Sequence, residues 1–135
     1  ANAFAERQAT KLVKKTRATY WDASHTKRIV CTVSKRYDEK AFAPYWYAYH
    51  PSWDAFLAEG ATGHFVLGCM DLDVAFAIPL SVLREQLDKL NTTTKPDGSH
   101  YWHIKVLELS PGHFGLHLPN ADGPLRLDPF MISVK

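Results

Sequence analysis

The sequence predicts an α+β domain: a curved antiparallel sheet of five to six strands, an N-terminal helix, and a second helix packed on the sheet. Three observations lead there. Stretches with a period of two recur along the chain, joined by connections short enough to make successive strands antiparallel neighbours. Helical periodicity is strong in two places, at the start and past the middle. A hydrophobic share of 46% with 13% aromatic residues, over 135 residues, suits one core in one domain spanning 1–135.

The first element is an amphipathic helix from Phe4 to about Thr19. At 100° per residue Ala5, Ala9, Leu12, Val13 and Thr16 gather on one side, and Arg7, Lys11 and Lys14 on the other, with Lys15 beside them. A polar connection through Asp22, Ser24 and His25 leads to a first strand, Arg28 to Tyr37, rich in Ile, Val and Thr. Asp38-Glu39-Lys40 reads as a hairpin tip. The next strand, Pro44 to His50, alternates cleanly: Tyr45, Tyr47 and Tyr49 share one face, and Trp46, Ala48 and His50 the other. Pro51-Ser52 opens a short helix carrying Trp53, Phe56 and Leu57, with Ser52 as its N-cap and Gly60 as its stop. His64 to Met70 is a third strand, and the turn Asp71-Leu72-Asp73 leads into a fourth, Val74 to Ile78, ended by Pro79. Leu83, Leu87 and Leu90 mark the helix Ser81 to Leu90, and Asn91 to Ser99 is a long polar loop. Strands at His100–Leu109 and His113–Leu118 follow, joined by Ser110-Pro111-Gly112. Leu125 to Val134 closes the chain as an edge strand interrupted at Pro129.

Composition narrows the function classes. The net charge is only +2, so a phosphate-binding surface must come from clustering of basic residues, not from their total. No apolar run approaches the roughly 20 residues needed to cross a bilayer. The first apolar residues are interleaved with Glu6, Arg7, Lys11 and Lys14, unlike a secretory leader, and a cytoplasmic location is expected. Cys31 and Cys69 sit in apolar runs and read as reduced, buried thiols. The first residue is Ala and the last lie in a strand-like run, so the domain is expected to belong to a longer protein with further domains.

Clustering is present. Arg7, Lys11, Lys14, Lys15, Arg17, Lys27, Arg28, Lys35 and Arg36 place more than half of the 16 basic residues in the first third of the chain. Of these, Arg7, Lys11, Lys14, Lys15, Arg17, Arg28, Lys35 and Arg36 are the candidate phosphate contacts. The candidate contacts to a base, or to a chemical mark on DNA, are Trp46, Tyr47, Tyr49, His50, Pro51 and Trp102. This assignment requires the cationic side of the leading helix and the aromatic strand to open onto one concave exterior. Tyr-rich strands are equally served by a core, and lysines at helical spacing by a solvated face. Catalytic, metal and cofactor motifs are lacking: Gly60, Gly63 and Gly68 form no phosphate loop, and no histidine pair has Cys or carboxylate at metal-ligand spacing. Asp38-Glu39-Lys40 has no upstream acidic partner on a core strand, as a metal-dependent nuclease would need.

The stretch Gly63-His64-Phe65-Val66-Leu67-Gly68-Cys69-Met70-Asp71, then Val74-Ala75-Phe76-Ala77-Ile78-Pro79 and a leucine helix, resembles an element of many restriction-type and resolvase-like nucleases of bacterial defence systems. The resemblance covers about 30 residues. No catalytic residue of those nucleases finds a matching position. What the resemblance implies is a target-recognition or accessory domain, binding double-stranded DNA, plain or modified, while cutting is done elsewhere. Two other functions compete: a metal-dependent nuclease using Asp71 or Asp73, and a protein-interaction or small-ligand domain.

Overall fold

The strand-forming stretches assemble into two sheets rather than one. The structure, a computed structural model, describes residues 2–7, 12–15, 18–36, 44–69 and 71–133. Its elements are, in order, α1 (Asn2–Arg7), β1 (Val13–Lys14), β2 (Thr19–Trp21), β3 (Lys27–Ser34), β4 (Tyr45–Tyr49), α2 (Pro51–Ala58), β5 (Thr62–Cys69), β6 (Val74–Pro79), α3 (Leu80–Gln86), β7 (Thr92–Thr94), β8 (His100–Ser110), β9 (His113–Leu116), β10 (Leu125–Arg126) and β11 (Met131–Ser133). The larger sheet has the order β1-β2-β3-β5-β6-β11, and the smaller β10-β9-β8-β4 with β7 also beside β8. The α+β class and the N-terminal helix are as expected. One pairing is not: β3 and β5 run parallel, from Lys27 opposite Thr62 to Ser34 opposite Cys69. Between them the chain leaves for the smaller sheet as β4 and returns through α2, a crossover long enough to restore the strand direction.

The main core lies between the sheets. Val30, Phe65, Leu67, Phe76 and Ile78 of the larger sheet meet Tyr45, Tyr47, Tyr49, Ile104, Val106 and Leu116 of the smaller. Phe56 and Leu57 of α2 and Leu83 of α3 join the same cluster. Each such side chain, fully buried, stabilises the fold by about 1.5–3 kcal/mol. A thinner cluster covers the larger sheet's other face, where Phe4 of α1 packs with Ile29, Val66, Ala75, Ala77 and Ile132. Phe65, Val66 and Leu67 are therefore buried in succession, as a strand covered on both faces requires.

The leading segment corrects the sequence expectation most. Helix α1 is described over Asn2–Arg7, and Val13 and Lys14 pair with Trp21 and Tyr20 as antiparallel strands, with the Lys15 amide on the Thr19 carbonyl at 2.8 Å. Thr19-Tyr20-Trp21 is a β-branched and aromatic run that pairs with Arg28–Val30 of β3, and Val13 follows it into the ladder. Antiparallel pairing with the strands that follow overrides the local helical period. Smaller corrections follow the same logic: Thr92–Thr94 of the expected loop pair with β8, and Pro51 takes the first turn of α2, with His50 rather than Ser52 at the N-cap. The expected hairpin tip at Asp38-Glu39-Lys40 lies outside the described residues.

Candidate functional site

Of the eight basic residues expected to hold phosphates, Lys11 and Arg17, and the side chains of Arg7 and Lys14, lie outside the described residues. Two of the rest are structural. Arg28 is 9% exposed; its Nε donates to the His25 carbonyl at 2.9 Å, and its Nη1 to the Phe56 carbonyl and the Glu59 carboxylate, both at 3.1 Å. Its guanidinium also lies 4.9 Å from the Trp21 and Phe56 ring centres. Arg36 donates to Asp71 at 2.7 Å and to Glu108 at 3.5 Å. Both guanidiniums are held by the protein's own acceptors, which corrects their assignment as phosphate contacts. Lys15 is exposed, with its Nζ over the Trp21 and Phe56 rings. Lys35 is exposed at the end of β3.

The aromatic strand divides as its alternation predicts, but its tyrosine face points inward. Tyr45, Tyr47 and Tyr49 are buried, and each hydroxyl has a partner: Asp71 at 2.6 Å, the Gly68 carbonyl at 2.9 Å and Asp54 at 3.0 Å respectively. Burial raises all three hydroxyl pKa values. Tyr47 and Tyr49 are therefore core residues, which corrects their placement among the ligand contacts. Trp102 also faces the core side, opposite Tyr49 with their ring centres 5.8 Å apart. Pro51 opens α2 half-buried. The cationic side chains named in the spatial requirement lie largely outside the described residues. Helix α1 packs on the outer face of the larger sheet, whereas Trp46 and His50 face out from the far side of the smaller one.

That outward face forms a coherent surface. Register places Trp46 opposite Lys105, Ala48 opposite His103, and Thr93 opposite Tyr101. The His50 and His103 rings lie 5.7 and 5.3 Å from Tyr101, and Trp46 meets Tyr101 edge-on at 6.4 Å. Lys95 holds its ammonium 5.6 Å from the Tyr101 ring centre. His117 joins through its amide, which donates to the Lys105 carbonyl at 2.8 Å. Leu107 completes the outward row of β8, opposite Gly115. Carboxylates reach this face at its margins, where Asp128 accepts from Arg126 at 2.8 Å beside Gly115 and Asp97 lies in the loop with Lys95. Beside Trp46 a groove of about 360 Å³ separates β4 from the end of β3, lined by Thr32, Lys35, Trp46 and Trp53 among others.

One hydrogen-bond chain sets the chemistry of the face. The Trp46 indole N–H donates to His103 Nδ1 at 3.1 Å, and His103 Nε2 lies 2.5 Å from the Thr93 hydroxyl. An indole nitrogen can only donate, so Nδ1 must accept, and the imidazole proton sits on Nε2 facing Thr93. Burial, and then the neighbouring Lys105, hold His103 below the ordinary histidine pKa; the same two causes act on His117. Burial and then Lys95 lower His50. At neutral pH these rings are uncharged, and the lysines carry the positive charge.

Comparison of the chain with protein-family models, curated proteins and solved structures returned no match.

Other regions are less suited to a ligand. A cavity of about 610 Å³ runs between α2 and the start of α3, lined by Leu57, Gly63, His64, Pro79 and Arg84 among others. Its cation, Arg84, is held by Asp54 through bonds of 3.1 and 2.7 Å. Asp71, offered by sequence as a metal ligand, accepts instead from Tyr45 and Arg36. No group of three His, Cys, Asp or Glu side chains converges as a metal site among the described residues. Sequence reasoning did not single out Tyr101, His103, Lys105, Lys95 or Thr93 as contacts. The alternation of β8 carried the signal: Tyr101, His103 and Lys105 share one face, and Trp102, Ile104 and Val106 the other.

Proposed function

We propose that this chain is a DNA-binding module whose contact surface is the outward face of the smaller sheet. One observation carries the reading: Trp46, His50, Tyr101 and His103 share that face with Lys105 and Lys95. Rings supply flat apolar area for bases, and lysines attract phosphates. Lys35, beside Trp46 in the adjoining groove, extends the cationic rim. Of the contacts expected from sequence, Trp46, His50 and Lys35 remain in this role. In the defence-nuclease setting that the short likeness implies, such a module would present DNA to a cutting domain.

The test is fluorescence anisotropy with labelled oligonucleotides at low salt, comparing the native chain with Lys105→Glu. The charge reversal is expected to weaken binding at least tenfold and to leave the unfolding midpoint within about 2 °C, because Lys105 lies outside the core. Absence of binding to any oligonucleotide at 20 mM salt would remove the proposal.

A further inference from the structure

Resting on that reading, we infer that the face takes unpaired bases, a single strand or a locally opened duplex, rather than an intact double helix. The first reason is shape. In a duplex the bases stack on one another and show only their edges, in a major groove about 12 Å wide that admits a helix or a two-stranded ribbon. Here β4, β8 and β7 stand abreast at Trp102, and β4, β8 and β9 at Val106. Three strands at about 4.8 Å spacing, with their side chains, are too broad to enter that groove. The rings also lie within the sheet face and do not project from a protruding element. Tyr101 has His50 on one side and Thr93 on the other.

Charge gives the second reason. Duplex binders that rely on the backbone make roughly six to ten phosphate contacts. Lys35, Lys95 and Lys105 offer three, Arg126 at the sheet edge being taken up by Asp128 at 2.8 Å, and the histidines among them are neutral at pH 7. Binding must then draw on stacking, and only an unpaired base exposes its flat side to a ring. From Tyr101 to Lys105 the strand advances roughly 14 Å, room for two or three bases. Trp46 and Tyr101, nearly perpendicular at 80°, hold two separate base positions rather than one sandwich.

The experiment compares a labelled 15-nucleotide thymidine strand with a duplex of matched length, at equal salt, on the native chain and on Tyr101→Ala. Tyr101 lies outside both core clusters, and an unchanged unfolding midpoint checks that its variant folds. The single strand should bind at least tenfold more tightly than the duplex. Its log–log salt slope should be about −2, from three contacts at roughly 0.7 each. Tyr101→Ala should weaken it roughly five- to a hundredfold. Equal or tighter duplex binding would overturn this inference and leave the DNA-binding proposal standing. Single-strand preference untouched by Tyr101→Ala would move the strand off this face and overturn it too. If neither oligonucleotide binds, both proposals fall.

Discussion

Arg28 separates a structural role from a binding role. Its place in the basic first third of the chain makes it a candidate phosphate contact, yet the folded chain surrounds its guanidinium with two backbone carbonyls, a carboxylate and two aromatic rings. Removing it by Arg28→Ala leaves the buried Phe56 carbonyl without that donor. A hydrogen bond from a charged donor contributes about 1.5–3 kcal/mol, and here two reach backbone oxygens. The stacked rings add about 0.5–1 kcal/mol each. Glu59 adds little, because its side chain is 71% exposed and water screens the pair. Against these gains stands the desolvation of the guanidinium itself, worth several kcal/mol. The balance leaves a loss of about 3 kcal/mol. For a chain of this length the unfolding entropy is about 0.28 kcal/mol per degree, so the midpoint should fall by about 10 °C. Circular dichroism on heating measures it. Oligonucleotide affinity at 15 °C, with the variant still folded, should stay within twofold of the native value. An unchanged midpoint with affinity lost tenfold would refute this reasoning and return Arg28 to the binding surface.

Two further outcomes follow from the same geometry. His103 should show the Nε2–H tautomer by nitrogen NMR at pH 7.5, and its lowered pKa makes stability pH-dependent: the unfolded ring takes a proton near pH 6.5, the folded ring only below that, so stability is complete above about 6.5 and is lost as pH falls through the folded value. His103→Gln should flatten part of that decline in urea unfolding; an Nδ1–H signal would dismantle the Trp46–His103–Thr93 chain. Cys69 is buried, and burial pushes its thiol up to about 11, whereas Cys31 is half-exposed, so alkylation at pH 8 should label Cys31 well ahead of Cys69. Labelling at equal rates would mean that β5 opens far more readily than its packing allows.

Much of the fold was legible because side-chain period is a local property. The two-residue alternation of β4, the proline that opens α2, and the leucines of α3 each depend on neighbours within a few positions. The leading segment was misread for the complementary reason. Ala5, Ala9, Leu12 and Thr16 do sit at helical spacing, but Val13 has a partner in β2, which in turn pairs with β3. Pairing with another strand leaves no trace in the period of a single segment. The parallel β3–β5 pair was hidden in the same way, since the short turn expected between successive strands gave no reason to send β4 into a second sheet.

The site shows how far alternation reaches. Spacing alone divides Tyr45, Tyr47 and Tyr49 from Trp46, Ala48 and His50, but it cannot say which group faces in, because either set has enough apolar area. The polar tips decide. The tyrosine hydroxyls find acceptors on Asp71, on the Gly68 carbonyl and on Asp54, the first two more than 20 residues away in the chain and all on elements that close the core. A buried hydroxyl without such a partner would be destabilising by about 1–3 kcal/mol, and with one the ring's full area is available for packing. The Trp46 indole finds its acceptor on His103, across the strand pair and on the outer side. With the tyrosines satisfied inside, the tryptophan–histidine face is left outward together with Lys105. That partition leaves the smaller sheet's outer side as the surface proposed for DNA.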